Sequence, residues 1–281
     1  MKKNITDIDF TLIETDADLT ALSADLSQCD WMGIDTEFIG EKRFQTLICL
    51  VQISSPLGIF LVDSLRVSDL KPIARLLENP KIKKLTHAGD NDYRLFYDQY
   101  GAQPKNIFDT QIAAGFLYPK YPMSFQKILG KELDVHLGKN YAISQWDARP
   151  LATKQLLYAI NDVYYLHDLY ESMSGKLQGN QLWNWAREEF QEWEKPEHFK
   201  THQYAEFLKN KVARNLGIKE QAFMLRLYQW RKQEARKRNI SKEMFFPEKT
   251  INAVAPAIRD GKKALQRHRR ISDKVVKKHW D

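Results

Sequence analysis

Three apolar, β-branched runs lie close together in the first quarter of the chain, and they limit the fold more than any other feature. They are Trp31–Phe38, Leu47–Ile53 and Ile59–Val62. Pro56 and Gly58 separate the last two and mark a hairpin-type turn. Runs joined by such short connections pair as antiparallel neighbours. A shorter apolar stretch, Phe10 to Ile13, precedes a polar, helix-like segment over Asp16 to Ser27. Beyond the meander the period changes. Leu70, Ile73, Ala74 and Leu77 recur at helical spacing until Pro80, Ile82 to Leu85 reads as a short strand, and Asp90 to Tyr100 as a helix ended by Gly101. Asp109 heads a further helix through Leu117, stopped by Pro119, and Ser124 to Leu129 is a short one. Thr153 to Leu169 reads as one helix, with Leu156, Leu157, Ile160, Val163, Tyr164 and Leu166 in register. Strands followed by helices point to a layered α/β domain. An apolar content of 43% supplies the core such a domain needs.

A length of 281 residues suits one or two domains. The net charge of +7 conceals a division. Residues 201–281 carry 21 Lys and Arg against 8 Asp and Glu, leaving 22 against 28 in residues 1–200. The acidic part suits divalent cations and the basic part a polyanion, which points to nucleic acid as a partner. There is no apolar run long enough to span a membrane, and the opening MKKNITDIDF lacks the apolar stretch of a secretory signal. Two cysteines, Cys29 and Cys49, are too few for a disulfide framework or a cysteine zinc site, and both read as small core residues. A cytoplasmic location is the expectation. Residues 181–195, with Trp183, Trp185, Phe190 and Trp193, read as an amphipathic helix packing back on the core or bracing the next domain, the alternative being direct base stacking. Pro196 to Gln203 is the linker candidate, and the chain beyond it reads as basic helices.

Three acidic groupings carry candidate chemistry. Asp35 and Glu37 are two apart on a strand, so both carboxylates leave the same face, beside the core residues Ile34 and Phe38. A paired acid in such surroundings calls for a balancing cation, and Mg²⁺ and Mn²⁺ favour oxygen ligands. Tyr158 and Asp162 are four apart on a helix and share a face. The segment Thr86 to Tyr93 passes from a strand into a helix and offers two acids. Asp90 stands where a helix N-cap is expected, whereas Asp92, within the first turn, is free to face inward as a ligand. Asp109 is likewise read as an N-cap. His87 is read as a packed or hydrogen-bonded histidine, because oxygen-preferring metals do not require it.

Asp-x-Glu on a strand, an Asp early in a helix and Tyr-x-x-x-Asp on a late helix, in that order, resemble the DEDD exonuclease superfamily in its tyrosine-bearing branch. The wording is similar to ribonuclease D in Ile34–Phe38, Leu50–Ile53, Leu85–Asp92, Phe108–Thr110, Gln145–Leu151 and Tyr158–Val163. The resemblance covers about residues 9–195. It implies an RNase H-like fold, a mixed five-stranded sheet with helices on both sides, in a catalytic domain over residues 1–195. It also implies two divalent ions, Mg²⁺ or Mn²⁺, and hydrolysis from a 3′ end that releases nucleoside 5′-monophosphates. Asp35 would then touch both ions, Glu37 and Asp162 would complete the site on the nucleophile side, Asp92 would serve mainly the other ion, and Tyr158 would orient the attacking water. The chemistry is consistent on its own terms. A divalent ion lowers the pKa of water enough to provide a nucleophile at neutral pH, and a second ion stabilises the leaving oxygen. Phenol is a poor base at that pH, so Tyr158 is a positioning group. Phe38, just past the acidic pair, either stacks on the terminal base or packs in the core.

Residues 205–281 resemble the HRDC domain, a small all-α bundle linked to nucleic-acid binding. The apolar residues at 224, 225, 227, 228 and 230 share one side of a helix, with Arg and Lys filling the rest, and Phe246–Ala255 fits the same pattern. The segment has room for one such domain, where some ribonuclease D proteins carry two. The expected activity is that of an exoribonuclease acting on structured RNA or tRNA 3′ ends. The alternatives are a Werner-type DNA exonuclease with the same chemistry and a catalytically inactive RNA-binding scaffold. No obligate protein partner is indicated.

Overall fold

The computed structural model describes residues 8–137, 145–269, 271–273 and 277. Residues 1–7, most of the segment on which the reading of the N-terminus rests, and the last positions of the 205–281 segment lie outside the described residues. The chain forms two compact units, residues 1–39 with 48–200, and residues 40–47 with 201–281.

The first unit is built on a six-stranded sheet in the order β1-β4-β3-β2-β5-β6. Its strands are β1 (Thr11–Ile13), β2 (Trp31–Ile39), β3 (Leu47–Ser55), β4 (Gly58–Asp63), β5 (Lys83–Thr86) and β6 (Ile107–Asp109). The expected five strands become six because Phe10 to Ile13 contributes an edge strand. β1 runs parallel to β4 in the register Thr11↔Phe60 to Ile13↔Val62, and three residues are too few to show a period. β3 and β4 pair antiparallel around the turn at Pro56-Leu57, while β5 runs parallel to both β2 and β6. The fold is therefore the expected mixed α/β class.

Alternation along the central strands sorts the helices onto two faces. Met32 and Ile34 of β2 and Val51 and Ile53 of β3 point into one apolar cluster. It is filled by α1 (Asp16–Leu26), α2 (Lys71–Glu78) and α3 (Asp90–Tyr100) through Leu19, Leu22, Ile73, Leu77, Tyr93 and Phe96. Against the other face lie α6 (Thr153–Tyr164) and α7 (Leu166–Gly179), with α4 (Thr110–Leu117), α5 (Phe125–Leu133) and α8 (Trp183–Trp193) completing the layer. The single helix expected over 153–169 is two, broken at Tyr165. At the break the Val163 carbonyl accepts from the Ser54 hydroxyl at 2.8 Å and from Tyr165 N–H. Here Gly33 is required by a close approach. A Cβ at that position would stand 2.2 Å from Ser54 Oγ and 3.1 Å from a Leu166 methyl.

Of the expected linker, residues 196–200 belong to this unit and residues 201–203 to the other. α9 (Pro196–Phe199) buries Phe199, which stacks on Tyr97, and the Phe199 carbonyl accepts from Arg94 at 3.1 Å. α8 packs on the core as expected, burying Ala186 and Phe190 while leaving Trp185 exposed.

The second unit contains α10 (Ala205–Lys209), α11 (Ile218–Arg238), α12 (Lys242–Phe245), α13 (Glu248–Val254) and α14 (Gly261–Gln266). Its core holds Met224, Leu227, Tyr228, Ile251, Val254 and Leu265. Arg231, expected on the solvent side of α11, is buried at 2% exposure because Glu206 and Glu243 pair with it and the Phe246 carbonyl accepts from it. Segment 40–47 belongs to this unit through two hydrogen bonds. Ser241 N–H donates to the Lys42 carbonyl at 3.1 Å, and Gln45 N–H donates to Asn239 Oδ1 at 3.2 Å. Among the described residues no helix is long and apolar enough to cross a membrane.

Candidate metal centre

The face of the sheet under α6 gathers three acids. Asp35 and Glu37 leave β2 on the same side, with Thr36 buried on the other, as strand alternation requires. Asp162 reaches them from α6. One carboxylate oxygen from each of the three lies within 4.8 Å of the others. Tyr158, one turn earlier on α6, hydrogen-bonds to Asp162, and its ring lies 6.0 Å from that of Trp146.

Asp92 approaches from the first turn of α3, which packs on the opposite face. It is buried and accepts a hydrogen bond from the Thr36 hydroxyl. It lies outside the three-acid group but close enough to act on it electrostatically. Asp90 points elsewhere. It pairs with His198 and, at 3.4 Å, with Arg94. Asp90 is not the helix cap either, since Gly89 holds that position. The reason is Asp109. Its Oδ1 caps α4 by accepting from the N–H groups of Gln111 and Ile112, as expected, and its Oδ2 accepts from Gly89 N–H and the Thr86 hydroxyl. One buried carboxylate thus fixes the entry to both helices. His87 is hydrogen-bonded to the Thr110 hydroxyl at 2.9 Å, with Phe125 against its ring, as a packed histidine should be.

Burial, and then the neighbouring carboxylates Asp92, Asp162 and Glu37, hold Asp35 well above the ordinary carboxylate range. Burial and the charges of Asp162 and Asp92 push Glu37 up to about 8. Asp162 is raised by its burial and by Asp92, partly offset by the Tyr158 hydrogen bond. Burial raises Asp92 also, against the Thr36 bond, and it pushes the Tyr158 hydroxyl further from ionisation. Like charges held this close favour proton uptake or a cation. The donors are all carboxylate oxygens, which suits a hard divalent ion. The residues therefore fit a divalent metal site.

In the segment Gln145–Leu151, Trp146 is buried beside Tyr158 and Arg149 is an anchor. The Arg149 guanidinium makes a two-pronged contact with Asp63 at 2.5 and 2.7 Å, and it donates to the carbonyls of Cys49 and Trp146. Sequence alone singled out the motif but not this anchor, because the partner lies 86 residues away. Phe38 is 39% exposed at the end of β2, so it does not pack in the core.

A mixed sheet with acids brought together from β2 and α6, and another beside them on α3, defines a class. A family model for the 3′-5′ exonuclease matches residues 10–178, and the chain belongs to that family. An HRDC domain model matches residues 220–281. Within the family the chain is similar to ribonuclease D of Nitrobacter hamburgensis, 31% identical over 247 residues, covering 87% of this chain and 64% of that one. It is also similar to ribonuclease D of Bartonella henselae, 31% identical over 273 residues, covering 96% of this chain and 65% of that one. The chain thus spans slightly less than two thirds of the length of these relatives. Among solved structures, Escherichia coli RNase D, described as an exoribonuclease involved in structured RNA processing, superposes with a TM-score of 0.85 at 25% identity. That match covers 92% of this chain and 69% of the other.

Proposed function

We propose that the chain is a two-metal 3′→5′ exoribonuclease that releases nucleoside 5′-monophosphates from RNA 3′ ends, with structured RNA and tRNA precursors as the substrate class. The observation that carries this reading is the convergence of Asp35, Glu37 and Asp162 within 4.8 Å, with Asp92 adjoining. Mg²⁺ or Mn²⁺, when bound, would provide a Lewis acid and an ionisable water at neutral pH, and a second ion would serve the leaving oxygen. Asp35 would hold both ions, Glu37 and Asp162 would hold the one on the nucleophile side, and Asp92 would serve the other. The Tyr158 hydroxyl, kept protonated, orients the attacking water as a hydrogen-bonding group. Phe38 offers an exposed ring for stacking on the terminal base.

In this reading residues 1–195 form the catalytic domain and residues 205–281 a nucleic-acid-binding domain that grips the phosphate backbone through its surplus of Lys and Arg. The partner is nucleic acid. Two free cysteines suit a cytoplasmic location. Incubating 3′-labelled and 5′-labelled RNA and DNA oligomers with Mg²⁺ or Mn²⁺, and with EDTA as control, tests the reading. Stepwise loss of mononucleotides from the 3′ end of RNA, stopped by EDTA, is expected. Metal-independent cleavage, internal cuts or loss from the 5′ end would overturn it.

A further inference from the structure

Gln52 is fully buried in β3, and neither its amide nitrogen nor its amide oxygen has a hydrogen-bond partner. A buried amide left unpaired keeps its desolvation cost uncompensated, so its retention calls for a reason.

Position supplies one. β2 and β3 are neighbours joined by residues 40–46 alone, too short for the crossover a parallel pair requires, so they run antiparallel. Gly33 of β2 faces Ser54 of β3, since a Cβ on Gly33 would strike Ser54 Oγ. Two residues onward along β2 is Asp35, and two residues back along β3 is Gln52. Antiparallel register sets these opposite one another, and the two-residue period sends both side chains to the same face. This face also receives Asp162 from α6, because the Ser54 hydroxyl is bonded to the Val163 carbonyl. The orphaned amide is thus the cross-strand neighbour of the acid at the centre of the cluster.

Carboxylates that bind metal are themselves held by outer hydrogen bonds, which fix the direction of their lone pairs. We propose that Gln52 is a positioning residue for the cation site, its Nε2 donating to the Asp35 carboxylate and holding it in the orientation in which Asp35 grips the ion. This rests on the metal-dependent reading above. With an ion held by Asp35, its remaining lone pairs would be open to a donor on the strand beside it, and Gln52, unpartnered without the ion, is the donor at that place. The amide is built into β3 rather than carried on a loop, so its reach is set by the sheet register.

The test uses the full-length chain with Mn²⁺ as probe. Gln52→Met preserves shape and removes both polar atoms, and Gln52→Leu serves as a second variant. Calorimetric titration of Mn²⁺ is expected to show binding weakened by about tenfold to a hundredfold. The melting temperature should be unchanged or higher, because an unpaired polar group has been removed. With a labelled RNA oligomer, kcat should fall while KM stays near the wild-type value. A folded variant with wild-type Mn²⁺ affinity overturns the role of Gln52 and leaves the carboxylate site standing. If the wild-type chain itself binds no Mn²⁺, or Asp35→Asn binds it as well as wild type, the metal reading falls first and takes this inference with it.

Discussion

Asp35 and Asp162 belong to different elements and meet only in the folded chain, yet each is surrounded by other acids. Replacing either by Asn keeps the shape and most hydrogen bonding while removing a charge. Cleavage of labelled RNA should drop by roughly a hundredfold or more, since the charge stabilisation at stake amounts to several kcal/mol. The same variants should melt at an equal or higher temperature, because each relieves repulsion in a buried cluster. Wild-type rates in a folded Asp35→Asn or Asp162→Asn protein would remove these residues from the mechanism. Tyr158 touches Asp162 through its hydroxyl. Tyr158→Phe should lower kcat by up to about a hundredfold, the scale of a lost positioning contact, with KM little altered. A raised KM at constant kcat would point to substrate binding instead.

At the scale of elements, two anchors can be examined apart from catalysis. Asp63 at the end of β4 is 1% exposed and relies on Arg149 across the sheet. Removing the arginine leaves the buried carboxylate only the Leu65 N–H and the longer Arg66 contact at 3.7 Å, so Arg149→Met should cost about 2–4 kcal/mol in denaturant unfolding. Arg149→Lys should rescue little of it, since an ammonium cannot form the two-pronged contact or reach the Cys49 and Trp146 carbonyls together. A loss below about 1 kcal/mol would show that β4 and the loop before α6 do not depend on this contact. His87, between β5 and α3, is pushed by burial down to about 4 from an ordinary 6.5. Above pH 6.5 it carries no charge in either state and costs nothing. As the pH falls from 6.5 towards 4, the unfolded chain binds a proton that the folded chain refuses, and stability is lost. The total is on the order of 2–3 kcal/mol. Unfolding free energies measured across that range should fall less steeply for His87→Gln than for wild type, and parallel curves would refute the assignment.

Charge divides the molecule as a whole. The unit that holds the acid cluster includes most of the chain's Asp and Glu, and the helical unit carries the basic surplus. Arg226, Lys232 and Arg236 are exposed along α11. If they contact phosphates, replacing all three by Ala should weaken binding to single-stranded RNA. It should also flatten the slope of log affinity against log salt by about 2, given roughly 0.7 per phosphate contact on a single strand. An unchanged slope would place the RNA elsewhere.

Local sequence determined much of this protein because strand and helix periods are local. The two-residue period put Asp35 and Glu37 on one face, the 3.6-residue period put Tyr158 and Asp162 on another, and turn residues placed the β3–β4 hairpin. Composition alone revealed the division of charge. Tertiary structure decided what depends on partners far away in the chain. At the head of α3, Gly89 holds the cap position and its N–H is bound by Asp109 of β6, while Asp90 pairs with His198 and Arg94 and Asp92 is the acid beside the cluster. The 153–169 helix breaks where the Val163 carbonyl accepts from the Ser54 hydroxyl, 109 residues away in the chain. Glu206 and Glu243 drew Arg231 into a core that its charge would otherwise avoid. Segment 40–47, which follows the metal-site strand directly, belongs with the helical unit through Asn239 and Ser241. The physical reason is common to all four. A periodic pattern records which way a side chain points along its own element, but a polar group's final place depends on a hydrogen-bonding partner that only folding brings within reach.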